Sequence, residues 1–89
     1  MKGVKAIYDN GGKTFDRYTV YYDDPAAGLQ MPQTMYPCVG MSEHPFHPQG
    51  FGMHSEGTLG RHNGKRIMFE KLPEDCQKLV RQDLAEERE

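Results

Sequence analysis

Apolar and polar residues alternate in two short stretches near the start of the chain, residues 2–8 and 17–23. Each stretch places three apolar residues on one face: Val4, Ala6 and Tyr8 in the first, and Tyr18, Val20 and Tyr22 in the second. A period of two is typical of half-buried β-strands. Asp-Asn-Gly-Gly at 9–12 tolerates positive φ angles, so we expect these strands to form an antiparallel hairpin closed by a longer loop.

Two further stretches are predicted to add strands to this hairpin. Residues 34–41 are largely apolar, but Pro37 cannot donate a ladder hydrogen bond, which predicts an edge strand or a strand interrupted by a bulge. Asn63-Gly64 is a strong signal for a two-residue type I′ turn. This turn predicts a second hairpin between residues 58–62 and 65–70.

The last part of the chain has the apolar spacing of an amphipathic helix. Apolar residues recur at three- and four-residue intervals: Leu72, Cys76, Leu79, Val80 and Leu84. Pro73 suits the first helical position, and the two acidic residues after it favour the positive end of the helix dipole. Residues 85–89 carry acidic side chains at the negative end, so we expect this tail to fray.

Together these elements predict one small α+β domain over residues 1–89. Two hairpins and the Pro-interrupted strand would form a small antiparallel sheet, packed against one C-terminal helix. One helix covers about one sheet face. On the other face the alternation places five residues of mixed character: Lys5, Ile7, Arg17, Thr19 and Tyr21. That second face is predicted to meet water or a partner.

Residues 42–56 follow neither a helical nor a strand period and are predicted to form a long irregular loop. The segment contains three His, two Pro and two Gly, together with the large apolar residues Phe46, Phe51 and Met53. Structureless connections longer than about 12 to 15 residues are uncommon and usually functional. Because apolar residues argue against disorder, a recognition loop is expected. The residues predicted to contact a partner are Phe46, Gln49, Phe51, His54 and Tyr21.

The composition restricts the classes of partner. The chain has 89 residues, with 11 Lys and Arg against 13 Asp and Glu, so its net charge of −2 exerts no general attraction for nucleic acid or membrane. No run approaches the ~20 apolar residues of a membrane helix, and the first residues lack a signal-peptide pattern, which predicts a cytoplasmic protein without a membrane partner. Cys38 and Cys76 are expected to be reduced core residues. With 36% hydrophobic residues, a stabilising homodimer remains an open alternative.

The predicted second hairpin ends in a basic tip. Four residues flank its turn as candidate anion-binding groups: Arg61, His62, Lys65 and Arg66. A two-residue turn would set Arg61 opposite Arg66, and like charges directly opposite each other are destabilising. We therefore expect compensation by a carboxylate, such as Glu56 or Glu70, or by an external anion such as phosphate.

Chemically reactive motifs are weak in this sequence. His44, His47 and His54 are candidate metal ligands, but their spacing matches no zinc motif, and loop histidines that hydrogen-bond to backbone carbonyls are the alternative. Gly11-Gly12-Lys13-Thr14 ends like a phosphate loop, yet Ile7 stands where that pattern needs Gly and a strand follows where a helix is required. No catalytic residue and no cofactor are predicted.

Three segments, GGKTFDRYTV, SEHPFHPQGF and GRHNGKRIMFEKLP, resemble those of a group of short bacterial and phage proteins of unknown function. The resemblance implies a phage or mobile-element setting and carries over no catalytic residue. Small phage proteins often act by binding and blocking a host macromolecule.

The leading hypothesis is therefore a non-enzymatic module that binds another macromolecule, expected to be a protein, through residues 42–56 and the basic tip. The first alternative is a small nucleic-acid or nucleotide-phosphate binder that uses the basic tip. The second alternative is a metal-binding domain built on the loop histidines.

Overall fold

Four strands follow one another as an antiparallel meander, and a fifth returns to pair with the first. The structure, a computed structural model, describes residues 3–23, 35–47 and 51–87. The elements in chain order are strands β1 (Val4–Asp9), β2 (Tyr18–Tyr22), β3 (Met35–Met41), β4 (Phe51–Thr58) and β5 (Lys65–Ile67), and helix α1 (Glu74–Glu87). Their order across the sheet is β4-β3-β2-β1-β5, with every neighbouring pair antiparallel. The predicted α+β class, with a small antiparallel sheet and one C-terminal helix, is confirmed.

Helix α1 covers one face of the sheet and closes the main core. Its predicted apolar stripe is confirmed within the helix, because Cys76 and Val80 are buried against Val20 and Val39 of the central strands, and Leu72 joins the same core from just before the helix. Phe69 joins this core from a short 3-10 turn between β5 and α1. The helix continues through Glu87, so residues 85–87 of the predicted frayed tail are helical, and residues 88–89 lie outside the described part of the chain.

The first hairpin is confirmed, but a bulge changes which side chains share a face. Val4 pairs with Tyr22 and Ala6 pairs with Tyr21, so Lys5 is an extra residue on β1. The bulge turns Val4 and Ile7 toward the helix-side core, whereas Ala6 faces the opposite side of the sheet. The prediction that Val4 and Ala6 share a face was therefore wrong, since one inserted residue reverses the alternation.

The second sheet face is not open to solvent. A smaller core lies there, formed by Ala6, Tyr8, Tyr21 and Cys38. The rings of Tyr8 and Tyr21 meet edge to face, with centroids 5.8 Å apart. The expectation that Tyr21 and Ile7 lie on a free face was wrong, because these side chains are 3% and 2% exposed in two different cores. The expectation that both cysteines are core residues is confirmed.

Strand β3 lies inside the sheet although it contains Pro37. Its pairing with β2 ends at Cys38, so Pro37 lies beyond that ladder and pairs only with Glu56 of β4. The missing N–H is tolerated because this end of β3 has a strand on one side only. The predicted edge position was wrong. The alternative prediction, a bulge in this strand, agrees with the shift in β3–β4 register between Val39 and Met41.

Strand β4 replaces part of the predicted irregular loop. Only residues 42–47 form a described loop, residues 48–50 lie outside the described part of the chain, and residues 51–56 belong to β4. The prediction of an irregular loop was therefore wrong for residues 51–56. Apolar alternation is absent there because β4 is an edge strand whose side chains at 54–56 are exposed. Backbone pairing with β3 therefore stabilises the strand without an apolar side-chain pattern.

The predicted Asn63-Gly64 hairpin does not form, because β4 and β5 lie at opposite edges of the sheet. The chain instead crosses the second sheet face through a 3-10 turn, Arg61–Asn63. Asn63 holds this crossover: its Nδ2 donates to the carbonyls of Thr58 (2.9 Å) and Gly60 (3.1 Å), and its Oδ1 accepts from the Tyr21 hydroxyl at 2.8 Å. Tertiary hydrogen bonds at the buried tyrosines outweigh the local turn preference.

Gly64 is required where the crossover meets the first hairpin. Its φ is 112°, and a Cβ built there would lie 2.4 Å from the carbonyl oxygen of Asp9. Gly60 precedes the 3-10 turn, and its backbone N–H donates to the Tyr8 hydroxyl at 3.1 Å. Within the described residues, no helix is long and apolar enough to cross a membrane.

Candidate functional site

The connection between β1 and β2 is a loop organised by one side chain. Asn10 Oδ1 accepts the backbone N–H groups of Gly12 (2.8 Å) and Lys13 (3.1 Å). Its Nδ2 donates to Thr14 Oγ1 (2.8 Å) and to the carbonyl of Asp16 (3.1 Å). Gly12 adopts a φ of 89°, as the sequence predicted for this loop. These contacts fix the conformation of the loop before any ligand is bound.

Arg17 connects this loop to the one that follows β3. Its Nε and Nη2 donate to the two carboxylate oxygens of Asp9 at 2.8 and 3.1 Å, and its Nη1 donates to Glu43. The hydrogen bond from Arg17 is the main reason that the pKa of Asp9 lies below its usual value of 3.8. The hydrogen bond with Asp9 likewise raises the pKa of Arg17. Two carboxylates therefore neutralise Arg17 and hold the two loops together.

The described part of the β3–β4 loop, residues 42–47, is braced from within and from the helix. Ser42 Oγ accepts the backbone N–H of His44 at 3.1 Å, and the His44 carbonyl accepts the N–H of His47 at 3.0 Å. The carbonyl of Ser42 accepts the thiol of Cys76 at 3.3 Å. Burial is the main cause that raises the pKa of Cys76 to about 11, so this thiol remains protonated and acts as a donor.

A groove of about 620 Å³ lies between the two loops. Since β1 and β3 run in the same direction, both connections emerge at one end of the sheet. The side chains that give the groove its character are Lys13, Phe15, Ser42, Glu43, His44 and His47. We call the loops 10–17 and 42–47, with the groove between them, the loop surface. It offers an exposed cation, hydroxyl and imidazole groups, and apolar area.

Two phenyl rings are exposed on the loop surface. Phe15 is 65% exposed and lines the groove, and Phe46 is 50% exposed on the other loop. Most other described aromatic side chains are buried: Tyr8, Tyr18, Tyr21, Tyr22 and Phe69. Phe46, a candidate partner contact from the sequence, is therefore exposed and not packed into the core. Two exposed rings on braced loops are typical of a recognition surface.

Comparison with known proteins identifies no family. A scan of protein-family models, a search of curated proteins and a search of solved structures each found no match to this chain. Functional arguments therefore depend on the geometry of the surface itself.

The other residues predicted to contact a partner are dispersed. Gln49 lies outside the described residues, and for Phe51 the structure describes only the backbone, in β4. His54 lies on β4, where its Nε2 is 2.9 and 3.0 Å from the carboxylate oxygens of Asp83 in α1. Tyr21 is buried beneath the crossover, so its side chain is not exposed for contact with a partner.

The loop histidines do not converge on a metal site. His44 and His47 border the groove, whereas His54 is paired with Asp83 at the helix. Within residues 3–23, 35–47 and 51–87, no three His, Cys, Asp or Glu side chains are placed to hold a metal ion. The proposed set of His44, His47 and His54 is therefore not assembled by the fold.

The basic residues gather in a different way from the predicted hairpin tip. Arg61, Lys65 and Arg66 line a second groove of about 500 Å³ together with Tyr8. We call this the basic groove. Lys65 is opposite Asp9 and Arg66 is opposite Tyr8, so the expected facing pair of arginines does not exist. The His62 side chain is directed toward the end of β4, where its Nε2 lies 3.2 Å from Thr58 Oγ1. His62 does not line the basic groove.

The expected carboxylate partners for these cations are also not found. Among the side chains that the structure describes, no carboxylate lies within 4.0 Å of the charged groups of Arg61, Lys65 or Arg66. Glu56 pairs across the sheet with Pro37, at the opposite sheet edge. Arg66 reaches only a backbone group, the carbonyl of Lys5, at 3.4 Å.

Sequence reasoning missed Phe15 and Lys13 as site residues. Phe15 lies between the Gly-Gly turn and the start of β2, outside the alternating pattern of both strands. The position of Phe15 could have indicated an exposed ring, because a large apolar residue in a polar loop belongs to the apolar face of neither strand. Their proximity to the 42–47 loop follows from topology, which the sequence did not reveal.

Proposed function

We propose that this chain is a non-enzymatic module that binds a protein partner through the loop surface. The observation that carries the proposal is the exposure of Phe15 and Phe46 on two loops at one end of the sheet. Large aromatic side chains are frequent binding anchors, because they bury much apolar area at a low cost in side-chain entropy.

The stiffness of the loops supports this function. Asn10 fixes the first loop, Ser42 fixes the second, and Arg17 joins them through Asp9 and Glu43. A loop already ordered in the free protein does not lose that conformational entropy on binding. A partner that fills the groove would therefore gain most of the free energy of burying the two rings.

The polar groups of the groove favour binding over catalysis. Ser42 Oγ accepts a backbone N–H from its own loop at 3.1 Å, which is a bracing role. The guanidinium of Arg17 is neutralised by two carboxylates. The resemblance to short phage proteins suggests a host macromolecule as the partner and remains part of this proposal.

The test compares two variants that remove exposed apolar side chains. Phe15→Ala with Phe46→Ala alters the loop surface, whereas Met68→Ala removes a side chain that is 68% exposed beyond β5. Each tagged protein is used to capture partners from nuclease-treated lysate of the organism that encodes it. We expect the double variant to lose the captured protein while its melting temperature stays within about 8 °C of wild type, since its two surface changes cost about 0.5 kcal/mol each.

Three outcomes contradict the proposal. Capture by the double variant at the wild-type level would show that the rings do not contact the partner. Equal loss with Met68→Ala would show that any exposed apolar group suffices. A large fall in melting temperature of the double variant alone would make the rings core residues.

A further inference from the structure

We propose that the second sheet face and the adjoining β5 edge carry a separate binding site for the phosphate backbone of a nucleic-acid strand, formed by Lys5, Arg61, Lys65 and Arg66. This site is independent of the loop surface and of its proposed protein partner. All four side chains are exposed.

Three of the four cations, Arg61, Lys65 and Arg66, line the basic groove beside β1, and the ammonium of the fourth, Lys5, lies near the Tyr36 ring of β3. Lys65 and Arg66 are opposite Asp9 and Tyr8 of β1, and Arg66 Nη2 lies 3.4 Å from the carbonyl of Lys5. Lys5 and Asp9 are four residues apart, so the stretch of β1 backbone beside these cations extends for about 13 Å at about 3.3 Å per strand residue. This length corresponds to about four nucleotides at about 3.4 Å per step. Cations spread over this length suit successive phosphates of a polymer better than one isolated phosphate.

These cations form no close ion pair with the described carboxylates, although the positive charge of Lys65 helps to lower the pKa of Asp9. No carboxylate among the described side chains is within 4.0 Å of them, although Arg17 nearby has two such partners. Unpaired cations release counterions from a phosphate backbone when they bind it, which is the main source of non-specific affinity. The basic groove therefore has the charges of Arg61 and Arg66 available for an external anion, whereas Lys65 lies close to Asp9.

The sheet separates this charge from the acidic part of the molecule. Helix α1 has five carboxylates and two cations, and it covers the face opposite the crossover. The net charge of −2 conceals this separation. An approaching polyanion is repelled by the helix side and attracted by the basic groove, which orients the encounter.

The site reads phosphates and not bases. Tyr8 beneath the cations is 6% exposed, and its hydroxyl already accepts the N–H of Gly60. Tyr36 is half-buried, with the Lys5 ammonium 5.5 Å from the centre of its ring. Base stacking requires an open aromatic face. We therefore expect binding without sequence preference.

Fluorescence anisotropy of labelled oligonucleotides tests this site. Single strands and duplexes of two unrelated sequences are titrated with the full chain between about 50 and 200 mM salt. Four phosphate contacts predict slopes of log K against log salt of about −3.6 for duplex and about −2.8 for single strands. Across that range the duplex affinity is expected to fall roughly 150-fold.

Matched charge removals locate the site. Arg61→Gln with Arg66→Gln leaves two contacts, so the duplex slope is expected to weaken to about −1.8, and affinity at about 50 mM salt to fall at least roughly tenfold. Lys71→Gln with Lys78→Gln removes the same charge near and on α1, and we expect less than a roughly twofold change.

Four results would overturn the proposal. These are no binding at about 50 mM salt, a salt slope near zero, a clear preference for one sequence, or an equal loss in the Lys71 and Lys78 control. None of them bears on partner capture by Phe15 and Phe46, so the two proposals fail independently.

Discussion

Asn63 should be among the most sensitive turn positions in the described chain, because its half-buried side chain holds the crossover in place. Asn63→Ala removes two donor contacts, to the carbonyls of Thr58 and Gly60, and leaves the Tyr21 hydroxyl without its acceptor. Tyr21 is 3% exposed. Each of the two partly exposed bonds contributes about 0.5 kcal/mol, and an unpaired buried hydroxyl costs about 1–3 kcal/mol. We expect a total loss of about 2–4 kcal/mol in the free energy of unfolding.

The assay is urea unfolding of four proteins: wild type, Asn63→Ala, Tyr21→Phe and the double variant. A loss of about 2–4 kcal/mol lowers the melting temperature of a domain this size by roughly 10–25 °C, so the effect is easily measured. Tyr21→Phe removes the same hydrogen bond without leaving a buried hydroxyl unpaired, and we expect a smaller loss of about 1 kcal/mol. The double variant should cost less than the sum of the single changes by about 1 kcal/mol or more.

Additivity would refute this reasoning. If Asn63 occupied the exposed turn of a β4–β5 hairpin, it would not touch Tyr21, and the two changes would add within about 0.3–0.5 kcal/mol. The cycle therefore distinguishes the crossover from the hairpin that the Asn-Gly sequence favours.

Three further predictions concern the surroundings of the site. Gly64→Ala should lower the free energy of unfolding by several kcal/mol, because the new Cβ would lie 2.4 Å from the Asp9 carbonyl oxygen. Gly12→Ala should cost only about 1–2 kcal/mol, because Gly12 has a φ of 89° but open space around it. Equal melting temperatures of the two variants would contradict this. The lowered pKa of Asp9 stabilises the fold fully above its ordinary value of 3.8, and this contribution is lost as pH falls through the depressed folded pKa. Arg17→Met should therefore flatten the acid limb of a stability–pH curve below about pH 4, and an unchanged limb would exclude the contact. With a pKa of about 11 and no exposure, Cys76 should resist alkylation near pH 8 until urea unfolds the chain, and rapid labelling of native protein at Cys76 would contradict its burial.

The sequence predicted the parts of the fold that local pattern determines. The first hairpin, the helix stripe and the α+β class follow from apolar periodicity and from the Gly-Gly turn, and all are present. Side-chain direction in β1 could not be predicted, since the Lys5 bulge has no signature beyond one extra residue. Strand β4 was missed because an exposed edge strand needs no apolar alternation.

Long-range pairing explains the remaining differences. Asn63-Gly64 has the local signal of a hairpin turn, but two buried tyrosine hydroxyls and the β1 edge direct the chain across the sheet. In the candidate site, too, local sequence indicates one residue and long-range strand pairing the other. Phe46 was predicted from its loop, whereas Phe15 becomes a site residue only because the meander brings loops 10–17 and 42–47 to one end. That proximity depends on strand order, which local sequence does not encode.

The most direct test of the loop surface as the binding site is quantitative partner capture after nuclease treatment. Wild type is compared with the Phe15→Ala, Phe46→Ala variant and with the Arg61→Gln, Arg66→Gln variant in the same lysate. The account predicts that the aromatic variant loses the protein partner and that the charge variant retains it. Retention by the aromatic variant, with loss in the charge variant, would contradict the assignment of the protein-binding site to the loop surface.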